Sequence, residues 1–127
     1  LEQPGLADFL PLAERKGVGV VAVGIFNSGI LVMPPEAGGN YDYGAAPPEI
    51  IDKARRIAAV CAEVGVEMPA AAVHFPLAHP AVKAVVVGMS RLGAVKQNFD
   101  WYRASIPAVL WDRLREEGLL STGAPTP

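Results

Sequence analysis

Two short apolar runs without polar alternation restrict this chain more than any other feature: Val18-Gly19-Val20-Val21-Ala22-Val23 and Lys83-Ala84-Val85-Val86-Val87. A strand half in water alternates apolar and polar residues, whereas a strand covered on both faces of a parallel sheet does not. Each run therefore predicts a buried strand of an α/β fold. Ligands of such folds bind where the carboxyl ends of parallel strands open into loops. The first run opens into Gly24-Ile25-Phe26-Asn27-Ser28-Gly29 and the second into Gly88-Met89-Ser90-Arg91. The binding site is expected at the first of these loops, which carries Asn27 and Ser28.

The remaining segments read as helices and one long loop. Leu6, Phe9, Leu10, Leu12 and Ala13 are spaced for one helical face, with Pro11 forcing a kink or a fresh first turn and Gly17 ending the helix. Met33 to Pro48 is rich in Pro and Gly, carries Asn40, Tyr41, Asp42 and Tyr43, and predicts a long irregular loop of the kind that is usually functional. Pro47-Pro48 then start a helix with Ile50, Ala54, Ile57, Cys61 and Val64 on one face. Glu49 with Lys53 and Asp52 with Arg56 form acid-before-base pairs on the other. Pro69 opens a more apolar helix that closes before His79-Pro80. A further helix runs toward Asn98, Trp101 and Tyr102, and a last one from Ile106-Pro107 to Gly118. Ser121 to Pro127 reads as a flexible tail.

Composition narrows the function. The 127 residues are 51% hydrophobic and 19% charged, enough to bury a core, and the net charge of -2 gives no electrostatic basis for a nucleic-acid surface. No apolar run approaches the roughly 20 residues that a membrane-spanning helix needs. A single cysteine, Cys61, cannot form an internal disulfide and points to a reducing compartment, with the cytoplasm as the expected location. Neither His74 nor His79 has metal-ligand spacing to Cys61 or to a carboxylate, so no metal site is expected. His74 reads as a packed histidine with a backbone partner, His79 as a cap for carbonyls, and Cys61 as core. Two fully buried strands, however, need flanking strands that this chain does not contain. Either the chain associates with itself to complete its sheet, or it is part of something larger.

Val20 to Leu31, the Gly65-Val66 turn with the helix from Pro69 to Pro80, and Val85-Val86-Val87-Gly88-Met89-Ser90-Arg91 with Val95 and Asn98 together resemble the C-terminal third of an aldo/keto reductase. Phe26-Asn27-Ser28-Gly29, followed by Tyr41-Asp42-Tyr43, is similar to bacterial members acting on L-fucose or D-threo-aldoses. The resemblance implies the C-terminal portion of a TIM (β/α)8 barrel, from the end of strand 6 through strand 8 and the terminal helices. Residues 1–120 would form this partial barrel, and 121–127 the tail.

It also implies an NAD- or NADP-dependent oxidoreductase acting on a sugar or small carbonyl compound. Gly24, Ile25, Phe26, Asn27, Ser28 and Gly29 would lie along the cofactor diphosphate, Gly88, Met89, Ser90 and Arg91 would hold the adenosine half, and Gln97 and Asn98 the adenine. Many members place a basic residue at the position of Gly88 and Arg or Gln at that of Ala94, so only Arg91 is left for a 2′-phosphate. That leans toward NAD or dual use. The family's catalytic Asp, Tyr, Lys and His fall in the earlier part of the barrel, so no catalytic residue is expected here and no turnover from this chain alone. The alternative is a non-catalytic half-barrel that self-associates. Tyr41 and Tyr43 read as packing anchors of the long loop or, less simply, as a lid over the site, and Trp101, Tyr102 and Trp111 as inter-helix aromatics.

Overall fold

The computed structural model describes residues 1–33, 39–89 and 91–127. At its centre β1 (Val20–Val23) lies parallel to β4 (Val82–Val86), with Val20 opposite Val82, Val21 opposite Ala84 and Val23 opposite Val86. A bulge between Val20 and Val21 takes up the extra residue on β4. The elements around this pair follow the expected order. A 3-10 turn at Pro4–Leu6 and α1 (Phe9–Arg15) precede β1, while α2 (Pro48–Glu63) and α3 (Met68–Leu77) lie between the strands. After β4 come α4 (Leu92–Arg103) and α5 (Ala108–Glu116). Among the described residues no single helix is long and apolar enough to cross a membrane.

β1 begins two residues later than its apolar run because those residues finish the preceding helix. Gly17 takes a left-handed φ of 65°, and the amides of Gly17 and Val18 donate to the Glu14 and Ala13 carbonyls at 3.0 and 2.9 Å. This is the double bond of a glycine C-terminal cap, which turns Val18 outward before the strand starts. The single helix expected from Leu6 is split in the same economical way. Pro11 falls in the first turn of α1, where its missing N–H costs nothing.

Burial of the strands differs from the expectation. Val20 and Ala22 are half-buried, but Val21, Val23 and Val86 are 55%, 71% and 55% exposed. The strands are covered on one face, by α3 and its neighbours, and among the described residues neither strand has a second partner. An unalternating apolar run reports what a strand is suited to, and here only one layer is present to meet it.

The helices carry the core instead. Ala54 and Cys61 of α2, Met68 and Ala71 of α3, and Leu110, Trp111 and Leu114 of α5 form one buried cluster with Ile30 and Leu31. The predicted α2 stripe is thus the packed face, but its predicted ion pairs do not form. Lys53 Nζ donates to the Leu1 carbonyl at 2.7 Å and Arg56 to the Glu117 carbonyl at 2.6 Å. Both long side chains span to another element, where a carbonyl would otherwise lack a partner.

Two further segments are more ordered than their composition suggests. The long loop contains a minimal hairpin, β2 (Asn40–Tyr41) with β3 (Gly44–Ala45). Its two turn residues, Asp42 and Tyr43, have φ of 47° and 62°, the geometry of a type I′ turn. Residues 121–127, expected as a free tail, lie against the body. Ala124 is buried, Arg115 Nη2 donates to its carbonyl and to Thr126 Oγ1 at 3.2 and 2.6 Å, and Ser121 bonds Gln3 Oε1 at 2.9 Å. Arg115 on α5 supplies the donors that composition alone does not announce.

Leu110 has no exposed surface. The Leu110→Ala variant is expected to lose about 2–5 kcal/mol of stability, read from the urea unfolding midpoint. A loss below about 1 kcal/mol would contradict the placing of the core between α2, α3 and α5.

Candidate functional site

Parallel pairing sets the site. With Val23 opposite Val86, residues 24–29 and 87–89 leave the sheet at the same end and from neighbouring strands. The structure therefore brings the two predicted loops together. Ser90 lies outside the described residues.

The first loop is a tight, left-handed coil. Gly24, Asn27, Ser28 and Gly29 have φ of 66°, 46°, 60° and 100°. Glycine adopts such angles freely, whereas Asn tolerates them and Ser does so at a cost. The amides of Asn27 and Gly29 donate to the Gly24 and Phe26 carbonyls at 2.8 and 2.9 Å. Those N–H groups are engaged inside the loop, so what the loop offers a ligand includes the side chains of Asn27, half-buried, and Ser28, exposed.

Ile25 and Phe26 serve the loop differently from their neighbours. Both pack on the cluster of Ala70, Val73 and Trp101. Phe26 meets Trp101 edge to face, with ring centroids 5.8 Å apart and planes at 77°, a favourable aromatic arrangement. Trp101 is fixed in turn: its Nε1–H donates to Glu67 Oε2 at 3.2 Å, and His74 Nε2 lies 3.3 Å from its carbonyl. α3 and α4 thus anchor the β1 loop through one indole. The expected backbone partner of His74 is this carbonyl. Trp101 reads from sequence only as an inter-helix aromatic, because nothing in its spacing links it to a loop 75 positions earlier.

The hairpin lies over the same loop. The Tyr43 amide donates to Ser28 Oγ at 3.4 Å, at the long end of a hydrogen bond. Tyr43 itself is 99% exposed, so it is no packing anchor in this chain. The Glu2 carboxylate, as a hydrogen-bond acceptor for the Tyr41 hydroxyl, favours the neutral phenol and raises its pKa.

In the second loop Gly88, Met89 and Arg91 are all exposed. Arg91 is the N-cap residue of α4 but gives no side-chain cap to it. Gln97 and Asn98 follow on α4 and point apart, as consecutive helical residues must. Gln97 faces solvent, while Asn98 is buried on the face that also carries Trp101.

The other candidate residues are structural. His79, expected to cap carbonyls, instead accepts the Ala81 N–H on Nδ1 at 3.1 Å. Among the described residues no cluster of His, Cys, Asp or Glu could hold a metal ion. Cys61 is buried, and desolvation pushes its thiol from 9.0 up to about 11.

The sequence profile of the Aldo/keto reductase family matches residues 6–116. This chain belongs to the aldo/keto reductase family. It is 42% identical over 121 residues to pyridoxal 4-dehydrogenase of Microbacterium luteolum, covering 95% of this chain and 35% of that protein. It is 43% identical over 123 residues to D-threo-aldose 1-dehydrogenase of Pseudomonas sp, covering 96% and 37%. L-galactose dehydrogenase of Arabidopsis thaliana is 32% identical over 95 residues, covering 73% and 28%. This aldo/keto reductase chain therefore spans about a third of the length of the curated relatives it matches.

The raised Cys61 thiol gives a signed pH dependence. The unfolded thiol ionises near 9.0 and the folded one near 11, so the folded state holds the extra proton between them. Stability is expected to fall as pH rises through that window, and Cys61→Ala is expected to flatten the decline. Urea midpoints for the two proteins between those pH values check this. An equal decline in both would contradict the assignment.

Proposed function

We propose that this chain is the C-terminal portion of a (β/α)8-barrel oxidoreductase, holding NAD or NADP while hydride moves between nicotinamide and a sugar or small aldehyde or ketone. The observation that carries the reading is the parallel pairing, which aligns two glycine-bearing loops at one end of the sheet. A Cβ built on Gly24, Gly29 or Gly88 meets no atom within 4 Å, so both loops present backbone to open space. Neither loop contains an acidic residue that would repel a diphosphate, and Arg91 adds a positive charge to the second. These residues fit a dinucleotide.

In this reading the chain's own residues bind and orient. Asn27 and Ser28 contact the diphosphate, the Gly88 backbone allows its close approach, and Arg91 and Gln97 engage the adenosine half. Arg91, as the one basic side chain in the two loops, supports NAD or dual use over strict NADP. The cofactor, when bound, supplies the hydride. The proton for the carbonyl oxygen comes from outside this chain, so these residues alone are expected to reduce no aldehyde. The relatives' names support a sugar or an aromatic carbonyl as substrate class, and the lone Cys61 supports a cytoplasmic setting.

A second reading is favoured by the exposed Val21, Val23 and Val86. A half-barrel with two bare strand edges would persist by self-association, without turnover. The mass of the natural polypeptide separates the two: a parent of roughly 28 kDa or more, the size of a whole barrel, supports the first.

Gly88→Glu tests the cofactor assignment without disturbing the fold, because the new side chain starts in open space. In the natural protein it is expected to weaken NAD and NADP binding tenfold or more, about 1.4 kcal/mol, by calorimetric titration. Unchanged affinity would remove the β4 loop from the site.

A further inference from the structure

The tip of the β2–β3 hairpin carries a residue that its own turn does not favour. Asp42 and Tyr43 take left-handed φ of 47° and 62°, and a two-residue turn of this kind prefers glycine in the second place, where a bulky side chain is strained. Packing does not explain the ring either, since Tyr43 is 99% exposed. Strain persists where the surroundings enforce it, and here the base of the hairpin does so. A Cβ on Gly39 would meet Ile30 Cγ1 at 2.6 Å, so the hairpin sits hard against a core residue. The Ala46 amide donates to the Gly39 carbonyl at 2.9 Å, and Glu2 accepts from the Tyr41 hydroxyl.

The hairpin packs on the turn Asn27–Gly29 of the β1 loop, with the Tyr43 amide on Ser28 Oγ. The ring therefore starts from the edge of the candidate site. Its chemistry differs from that of the loop beneath it. Tyrosine offers a flat apolar face that loses little rotamer freedom on binding, and a hydroxyl that both donates and accepts. Asp42, exposed beside it, accepts hydrogen bonds from hydroxyl groups but repels a phosphate. The pair suits an uncharged ring bearing hydroxyls, and does not suit the cofactor diphosphate.

We propose that Tyr43 is a specificity-determining residue whose ring stacks on the pyranose ring of a sugar substrate, with Asp42 accepting from the sugar's hydroxyls. The inference rests on the oxidoreductase reading and selects the sugar among its substrates. A face-to-face contact with the sugar ring is the same before and during hydride transfer, so it sets KM and leaves kcat alone. The tyrosine stands in a glycine position because the ligand, and not the turn, requires it.

The natural protein and its Tyr43→Gly and Tyr43→Phe variants test this, assayed on the aldopyranoses L-fucose and D-glucose with NAD and NADP, and on heptanal with the reduced cofactors. Tyr43→Gly removes the ring and gives the turn the residue it prefers, so its urea midpoint is expected to equal or exceed that of the natural protein. Its KM for the better aldopyranose should rise about tenfold with kcat unchanged. Its KM for heptanal, which has no ring, and its calorimetric affinity for NAD should stay the same. Tyr43→Phe keeps the ring and should keep most of the affinity for the sugar. An unchanged aldopyranose KM in Tyr43→Gly would overturn the inference and leave the oxidoreductase reading standing. An equal rise for heptanal would do the same, as would weaker NAD binding, which would give the ring to the cofactor. Turnover of heptanal alone by the natural protein would likewise overturn it, and turnover of no probe would overturn the oxidoreductase reading as well.

Discussion

Two parallel strands cannot be joined by a tight turn. The chain must travel back the full length of β1 before β4 can begin beside it. Here that return takes everything between Gly24 and Ala81, including the hairpin, α2 and α3. The pairing of Val23 with Val86 is thus closed by the packing of helices, and the helices gain a sheet to pack on only when it closes. Its geometric consequence is that both strands end at the same end of the sheet, so the two candidate loops leave it from neighbouring strands.

The sheet is a weak foundation taken by itself. A two-stranded parallel ladder with Val21, Val23 and Val86 facing outward buries too little to stand alone. What holds it is the helical core around Leu110, Trp111 and Cys61, and a second, smaller cluster in which Phe26 lies against Trp101. That second contact places the β1 loop. It ties a strained backbone, with three consecutive residues from Asn27 to Gly29 at positive φ, to two helices at once. Strain of this kind persists only where the surroundings enforce it, and its position at the mouth of the paired strands is where a ligand would use a preset shape.

Much of this was legible in the residues. The unalternating runs located both strands and their shared direction, Gly17 and Gly65 marked helix ends, and the stripe from Ile50 to Val64 marked the packed face of α2. The motifs around Phe26-Asn27-Ser28-Gly29 and Val85-Val86-Val87-Gly88 indicated the family. What escaped depended on distant partners. Strand burial requires layers that periodicity cannot count, so Val21 and Val23 read as buried and stand exposed. Lys53 and Arg56 had acids one turn away but reach carbonyls on other elements. The Asp42-Tyr43 turn lacks the glycine that usually announces such a hairpin, and the anchoring of residues 121–127 rests on Arg115, which belongs to a helix.

The candidate residues, similarly, were legible as two loops after the strands but not in the different surroundings that the fold gives each of them. Ile25 and Phe26 stand inside the loop motif and look like its neighbours in sequence, yet their side chains are spent on packing. Asn98 and Gln97 are adjacent and equally suited to a base edge, but helical geometry gives one to the interior and the other to solvent. Only the angular step of the helix and the position of Trp101 distinguish them.

The central claim is that the loops after β1 and β4 act as one binding surface because the strands pair in parallel. Amide hydrogen exchange of the natural protein, measured with and without saturating NAD or NADP, tests it directly. The account predicts that exchange slows in residues 24–29 and 88–91 together, with the same dependence on cofactor concentration. Protection of only one of the two segments, or of neither, would contradict it.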